Sequence, residues 1–444
     1  MPPETPPPVP SWARSDRPVP RLVVRPLREF LDTEVAGGIV LLAATTLALI
    51  SANSPWSASY GSLWQTELVV RLGGLSLELD LRHWINDGLM TLFFFVMALE
   101  IKRELVEGVL SDRKRAALPV IAAAGGMLAP AAIYAALNAN GAEAGGWGVP
   151  IATDIAFALG VVALVGPRVP ASLRVFLLTL AIADDVGAII AIALFYADDI
   201  DVAALALALT VLGGIILLRS VHVWWVPLYV VAGTIVWLAT LVSGVHATIA
   251  GVALGLLAPA HPLDRTALKR VGLGIARLEE RPSPEEASAA QRGVIASLSV
   301  AERLAHVLHP WTSFVILPLF ALANAGISLS SGDLRSALGS RVTLGVLLGL
   351  VVGKAVGITG AAWLAQRTRI AELPDGVNWI HMAGIGTVAG IGFTVSIFVA
   401  SLAFEREALV QQAKVGILAA SLVASLLGAL LLLLGRERHR HAQG

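Results

Sequence analysis

The 444-residue chain has no cysteine. Disulfides, thiolate metal sites and thiol nucleophiles are therefore excluded, while the redox compartment stays open. Charge is scarce as well: Asp, Glu, Lys and Arg make up 14% of the residues, against about 25% in an ordinary soluble domain. The 32 basic and 32 acidic side chains balance, which leaves no positive excess to hold nucleic acid. No secretory leader is expected at the start, because residues 1–26 are rich in Pro and Arg and the first apolar run, Val35 to Ile50, has no small-residue cleavage pattern behind it. What remains is 56% hydrophobic, with a mean hydropathy of +0.76. That is the composition of an all-α polytopic membrane protein.

Apolar segments of spanning or near-spanning length fall at 33–52, 84–107, 116–137, 148–165, 172–197, 202–219, 224–241, 244–258, 311–328, 342–364, 380–403 and 409–434. They predict about twelve transmembrane helices. Lys and Arg concentrate in alternate loops: Arg14 to Arg28 before the first segment, Arg113 to Arg115 after the second, and Arg265 to Arg281 after the eighth. Loops 138–147 and 198–201 carry none. The positive-inside rule then predicts an even number of spans with both termini cytoplasmic. Residues 1–30 read as a disordered Pro/Arg-rich cytoplasmic tail, 31–436 as the membrane domain and 437–444 as a second tail. Two connections stand out. Residues 67–82 alternate apolar and polar around Gly73-Gly74, a short external β-hairpin. Residues 259–310 form an enlarged cytoplasmic loop, with Leu298 to Leu308 expected as an amphipathic helix on the membrane surface.

Asp184 and Asp185 lie in the middle of the apolar run Val175 to Phe195. A charge at such a depth costs roughly 2.5–3.5 kcal/mol even on insertion scales, so an intramembrane acid marks an ion or proton pathway. Two other segments cannot run as plain helices. Gly145-Gly-Trp-Gly-Val-Pro150 leads into Thr153 and Asp154, and the second holds Gly384, Gly386, Gly390 and Gly392. Backbone breaks at membrane depth survive only where they line a cavity or are buried in protein. A Gly/Pro-interrupted span in each half points to the binding site of a secondary transporter; the blander reading is that the glycines serve close helix packing.

Lys354 lies too deep to snorkel, and the cheapest arrangement sets it against a buried aspartate. Adjacent helical residues point about 100° apart. Asp184 and Asp185 therefore divide their labour, one pairing with Lys354 and the other lining an ion site; a purely structural ion pair is the alternative. Carboxylates of Asp154 and Asp185 with the hydroxyl of Thr153 suit a hard cation such as sodium or lithium. The same carboxylates also take protons, so ion and proton compete for one site. His246, at the start of a span, reads first as a structural residue. Glu100, Lys102, Arg103 and Glu104 close the second span as a solvated helix end or as a vestibule that attracts cations.

Nine motifs now bear on the family: Trp84-Ile-Asn-Asp-Gly-Leu-Met, Leu99-Glu-Ile-Lys-Arg-Glu, Ala152-Thr-Asp-Ile-Ala-Phe-Ala-Leu-Gly, Asp184-Asp-Val-Gly-Ala-Ile-Ile, Ser243-Gly-Val-His-Ala-Thr, His306-Val-Leu-His-Pro-Trp, Leu317-Pro-Leu-Phe-Ala, Gly353-Lys and Gly390-Ile-Gly-Phe-Thr-Val-Ser-Ile-Phe. In order, over about residues 31 to 435, they strongly resemble the NhaA family of sodium/proton antiporters. Inverted repeats with broken helices are part of what the resemblance implies. It implies twelve helices in a bacterial inner membrane, with the fourth and eleventh discontinuous and crossing near the midplane. It implies an electrogenic exchanger rather than an enzyme, with no cofactor, that moves sodium or lithium out against protons for pH and sodium homeostasis. Asp185, Asp154 and Thr153 would hold the ion, and Asp184 would partner Lys354, whose role is to carry a proton or only to stabilise the fold. Asp154 would offset the facing positive half-helix ends and Lys354 the negative ones.

The resemblance further implies a homodimer through 67–82, and activation at alkaline pH through Glu100, Arg103, Glu104, His306 and His309, with His246 also involved. The chain departs from the best-known pattern at Ala305, where a glutamate precedes the first His, and in the charged stretch through 265–300. Two other classes fit less well. An intramembrane aspartyl protease would draw its acids from different helices, one in a Gly-x-Gly-Asp context that is absent here. A sodium-coupled solute symporter would need a polar cavity beyond the acidic cluster.

Overall fold

The computed structural model describes residues 36–72, 75–166, 169–197, 200–221, 223, 225–261, 283–285, 287–288 and 298–441. The expected tail at 1–30 and most of the expected loop at 259–310 lie outside them. The described chain is mostly helical, and the helices follow the apolar segments. They are α1 (Ala36–Ala52), α2 (Ser57–Trp64), α3 (Leu81–Val106), α4 (Arg113–Leu137), a 3-10 segment (Gly141–Ile151), α5 (Ile155–Val165), α6 (Ala171–Phe195), α7 (Val202–Ser220), α8 (Val226–Val242), α9 (Thr248–Leu257), α10 (Val300–Asn324), α11 (Ser331–Leu338), α12 (Arg341–Arg367), α13 (Trp379–Val388), α14 (Phe393–Ala403) and α15 (Glu407–His441). Their starts carry the expected side-chain caps. Asp112 accepts from Lys114 N, Asp201 from Ala203 N and Ala204 N, Ser299 from Glu302 N, and Asn378 shares a reciprocal pair with His381.

Among the described residues, seven helices are long and apolar enough to cross a bilayer: α3, α4, α6, α7, α10, α12 and α15. Three bent pairs add to them. The 3-10 segment and α5 meet at 47°, α13 and α14 at 49°, and α1 and α2 at 117°. Helices α8 and α9 are shorter but apolar. The chain is a multi-pass membrane protein. Leucines such as Leu128, Leu164, Leu207 and Leu209 are exposed outward, the placement that lipid rather than water stabilises.

The stretch expected as an amphipathic helix over Leu298 to Leu308 is helical from Val300, and it continues into the next apolar segment as α10, Val300 to Asn324. Ala301 is buried, and its N–H donates to Pro259 O at 3.0 Å. Between Pro310 and Pro318 the turns widen into a π-helix over Thr312–Ile316, a local change that accommodates carbonyls left without a donor and the bulk of a proline ring. At the other end of the chain, α15 continues past residue 436 to His441.

The hairpin forms as read. Strands β1 (Glu67–Leu72) and β2 (Leu75–Asp80) pair antiparallel, from Glu67 opposite Asp80 to Leu72 opposite Leu75. Trp84 Nε1 donates to Leu68 O at 3.0 Å, and Asp80 caps α3 by accepting from His83 N at 2.7 Å.

Helices α4 and α12 approach along a seam of small residues. A Cβ on Gly125 would strike Gly357 O, and one on Gly357 would strike Gly125 O; Gly349 and Gly353 rest directly on Pro150 and Pro130. Without a hydrophobic drive between helices in lipid, such close backbone contact carries the packing. The substitution Gly357→Val overpacks this seam. It is expected to lower folding stability by roughly 1–3 kcal/mol, read as a fall in the thermal midpoint of the detergent-solubilised protein, and an unchanged midpoint contradicts the contact.

Candidate ion site at two interlocked backbone breaks

The first break lies between the 3-10 segment and α5, and the second between α13 and α14. Each supplies hydrogen bonds to the other. Asp154 N donates to Ile391 O at 2.6 Å and Thr153 Oγ1 lies 2.8 Å from Ala389 O. Ser396 Oγ donates to Val149 O at 2.8 Å. Backbone polar groups that the breaks set free are thus satisfied by the partner break, which is the condition for irregular chain inside a membrane. Gly390 permits the crossing, since a Cβ there would meet Leu350 O on α12.

Asp154 is the N-cap of α5 and accepts from Phe157 N at 3.1 Å. Its other oxygen accepts from Thr394 N at 3.1 Å and Thr394 Oγ1 at 2.6 Å, at the first turn of α14. One carboxylate therefore faces the amino ends of two half-helices, where backbone N–H groups and helix dipoles favour negative charge.

On α6, Asp184 and Asp185 take separate environments. Asp184 Oδ2 forms a buried ion pair with Lys354 Nζ and lies 2.6 Å from Thr153 Oγ1. Thr153 has a single hydroxyl proton, so it serves Asp184 or Ala389 O, one at a time. Lys354 follows directly on a π-helical turn, Gly349–Gly353, that rests on Pro130 and Pro150. Both the lysine and its aspartate are 0% exposed, so breaking the pair would strand a charge. Asp185 is 1% exposed, and neither of its oxygens accepts a hydrogen bond. The carboxyls of Asp184, Glu100 and Asp154 act on it electrostatically, as does Lys354.

The four deep ionisable groups read from the sequence, Asp154, Asp184, Asp185 and Lys354, thus lie with Thr153 in one buried region. Thr153 bonds to the Asp184 side rather than joining Asp185 and Asp154. Thr394 escaped the sequence reading, although it fully commits a hydroxyl to Asp154. The available signal was its place two residues beyond Gly392, in the first turn of the half-helix that follows the break.

The cytoplasmic group is looser. Glu100 is half-buried within reach of the charges of His309 and Arg103. Arg103, His306 and His309 are exposed. Glu104 accepts from Val109 N at 2.7 Å and closes the turn after α3. Ala305 packs in a small apolar cluster with Phe95, Leu99, Ala258, Ala301 and Leu304. His246 precedes α9, at the end opposite Ala258, so a helix of about 15 Å separates it from that cluster.

A multi-pass helical protein with three acids and a lysine buried at two interlocked breaks is of the class that handles ions within the membrane. The family model described as Na+/H+ antiporter 1 matches residues 28–432, and the chain belongs to that family. It is 46% identical over 428 residues to "Na(+)/H(+) antiporter NhaA 3" of Frankia alni, covering 95% of this chain and 92% of the relative. It is 48% identical over 416 residues to "Na(+)/H(+) antiporter NhaA 2" of Sorangium cellulosum, covering 91% and 89%. Against "Na(+)/H(+) antiporter NhaA" of Oleidesulfovibrio alaskensis it is 46% identical over 440 residues, covering 95% and 97%.

Two substitutions test the geometry. Lys354→Ala leaves Asp184 buried without its cation and is expected to cost about 3–5 kcal/mol, seen as a markedly lower thermal midpoint. Thr394→Val removes one hydroxyl from Asp154 and should cost roughly 1–3 kcal/mol by the same measurement. Wild-type midpoints in both would contradict the hydrogen bonding described.

Proposed function

We propose that this protein exchanges cytoplasmic sodium or lithium for external protons, electrogenically and by alternating access, and so serves pH and sodium homeostasis. The observation that carries the reading is Asp185: a carboxylate deep in a membrane helix, both oxygens buried and neither hydrogen-bonded. An anion so placed is stabilised only by a cation, and a proton or a small hard metal ion serves equally. Occupation by one excludes the other, which is the minimal chemistry of exchange. The relatives' names describe the same pair of ions.

Asp185 and Asp154 are the acids assigned to the metal ion. Thr153 joins them as Asp184 releases its hydroxyl. Asp184 and Lys354 add proton-binding groups beyond those needed for one sodium, which supports an electrogenic ratio. Twelve spans follow if the bent pairs and the two short helices each cross once, with the two broken spans crossing near the midplane and belonging to inverted repeats. Both termini are then cytoplasmic and the membrane is the bacterial inner membrane. The exposed Leu68, Val69 and Val70 support homodimerisation through the hairpin, since an isolated two-stranded ribbon is marginal in water. Glu100, with His309 and Arg103 beside it, supports a pH-responsive cytoplasmic entrance. His306, Glu104 and His246 are assigned outlying roles in it.

The test is collapse of a preformed pH gradient in everted vesicles on adding sodium, lithium or potassium, scanned over pH. Sodium or lithium should collapse it, increasingly toward alkaline pH, and Asp185→Asn should abolish the effect. Wild-type rates in Asp185→Asn would sink the site. Failure of all three ions with folded, inserted protein would sink the exchange itself.

A further inference from the structure

The exchange chemistry uses none of the side chains of Gly145-Gly-Trp-Gly148, yet each of these residues has a defined counterpart. Tyr196 Oη accepts from Gly148 N at 3.0 Å and donates to Gly145 O at 2.8 Å. Tyr134 Oη donates to Glu143 O at 2.8 Å. A Cβ on Gly148 would run into the Tyr196 hydroxyl and ring, and one on Gly146 into Tyr134 and Phe404. Trp147 stacks on Tyr196 with ring centroids 6.2 Å apart and meets Phe195 edge-on at 5.1 Å. The glycines are sockets for two phenols, and the tryptophan is a wedge between the elements they join.

Tyr196 occupies a particular place in the chain. It is the C-cap of α6, the helix that carries Asp184 and Asp185. The groups it binds belong to the arm that ends at Thr153 and Asp154. Among the described residues, the other hydrogen bond joining this arm to α6 is Thr153 to Asp184. That second tie sits inside the ion site, so it is broken whenever Thr153 turns to another acceptor. The phenol tie is made of neutral groups at the end of α6, away from the aspartates at the helix middle.

We infer that Tyr196 is a positioning residue for the exchange site: its hydroxyl holds the Thr153–Asp154 arm in register with the Asp184–Asp185 helix while the inner tie is released. The inference rests on the exchange reading and adds a residue outside the acidic cluster to it. Replacement by phenylalanine keeps the ring and its stacking and removes only the two bonds, leaving Gly148 N–H and Gly145 C=O unpaired.

In everted vesicles, Tyr196→Phe should raise the half-saturating sodium concentration roughly tenfold while the maximal rate stays within about twofold, the signature of lost binding rather than lost turnover. An unchanged half-saturation, or a fall confined to the maximal rate, overturns the inference. A second readout is independent of transport. The chain has no native cysteine, so spin labels at Ala142→Cys and Leu194→Cys report the arm-to-helix distance alone. Both positions are exposed. The distance distribution should broaden in Tyr196→Phe, and an unaltered distribution overturns the tether. Wild-type vesicles that show no sodium response defeat the exchange reading, and the spin-label pair still decides the tether.

Discussion

Asp154 binds the amino ends of two half-helices at once, and much of the membrane domain is arranged so that it can. A helix broken inside a bilayer exposes N–H and C=O groups that lipid cannot satisfy. Two breaks placed against each other satisfy one another instead: Asp154 N with Ile391 O, Thr153 with Ala389 O, Ser396 with Val149 O. The surplus is positive, because the two amino ends converge on the same spot, and one carboxylate neutralises it. The crossing thus needs an acid where it stands. It also brings that acid beside the two on α6.

The aspartate pair shows how position divides like groups. Asp184 is engaged by Lys354 and Thr153. Its neighbour, turned about 100° around the helix, meets no donor. A buried charge is tolerated when paired and costly when not. The paired residue therefore reads as the stable element, and the unpaired one as the group whose state changes. This asymmetry links packing to the proposed function: the helix that makes the fold also presents the group assigned there to exchange its cation.

Among the described residues three stretches widen into π-helical turns, and one of them borders the site. One, Gly349–Gly353, sets the start of the turn that carries Lys354. Another, Trp84–Leu89, frees the carbonyl of Asp87 for Trp237 and Thr91. The third lets α10 continue between two prolines. Each widens the helix locally, and each lies where a strictly α-helical register would misplace a side chain or strand a proline.

Hydropathy by itself determined where most of the helices fall. A run of apolar residues in lipid must satisfy its own backbone unless buried neighbours do so, which for most segments means a helix, and the helices accordingly follow the segments read from the chain. Buried ionisable residues such as Asp184, Asp185 and Lys354 are equally legible, since their cost at that depth is large and local. Gly73-Gly74 between alternating strands announced the hairpin for the same local reason. What only the tertiary structure decided is partnership. Thr153 turned to Asp184, Thr394 to Asp154, and the glycines around Trp147 to the phenols of Tyr134 and Tyr196, because those contacts join segments far apart in the chain. The continuity of α10 through Pro310 was hidden for a related reason: a π turn leaves no mark in hydrophobic periodicity. Local solvation cost is written in composition and order, whereas the choice among many possible hydrogen-bond partners is made by the geometry of packing.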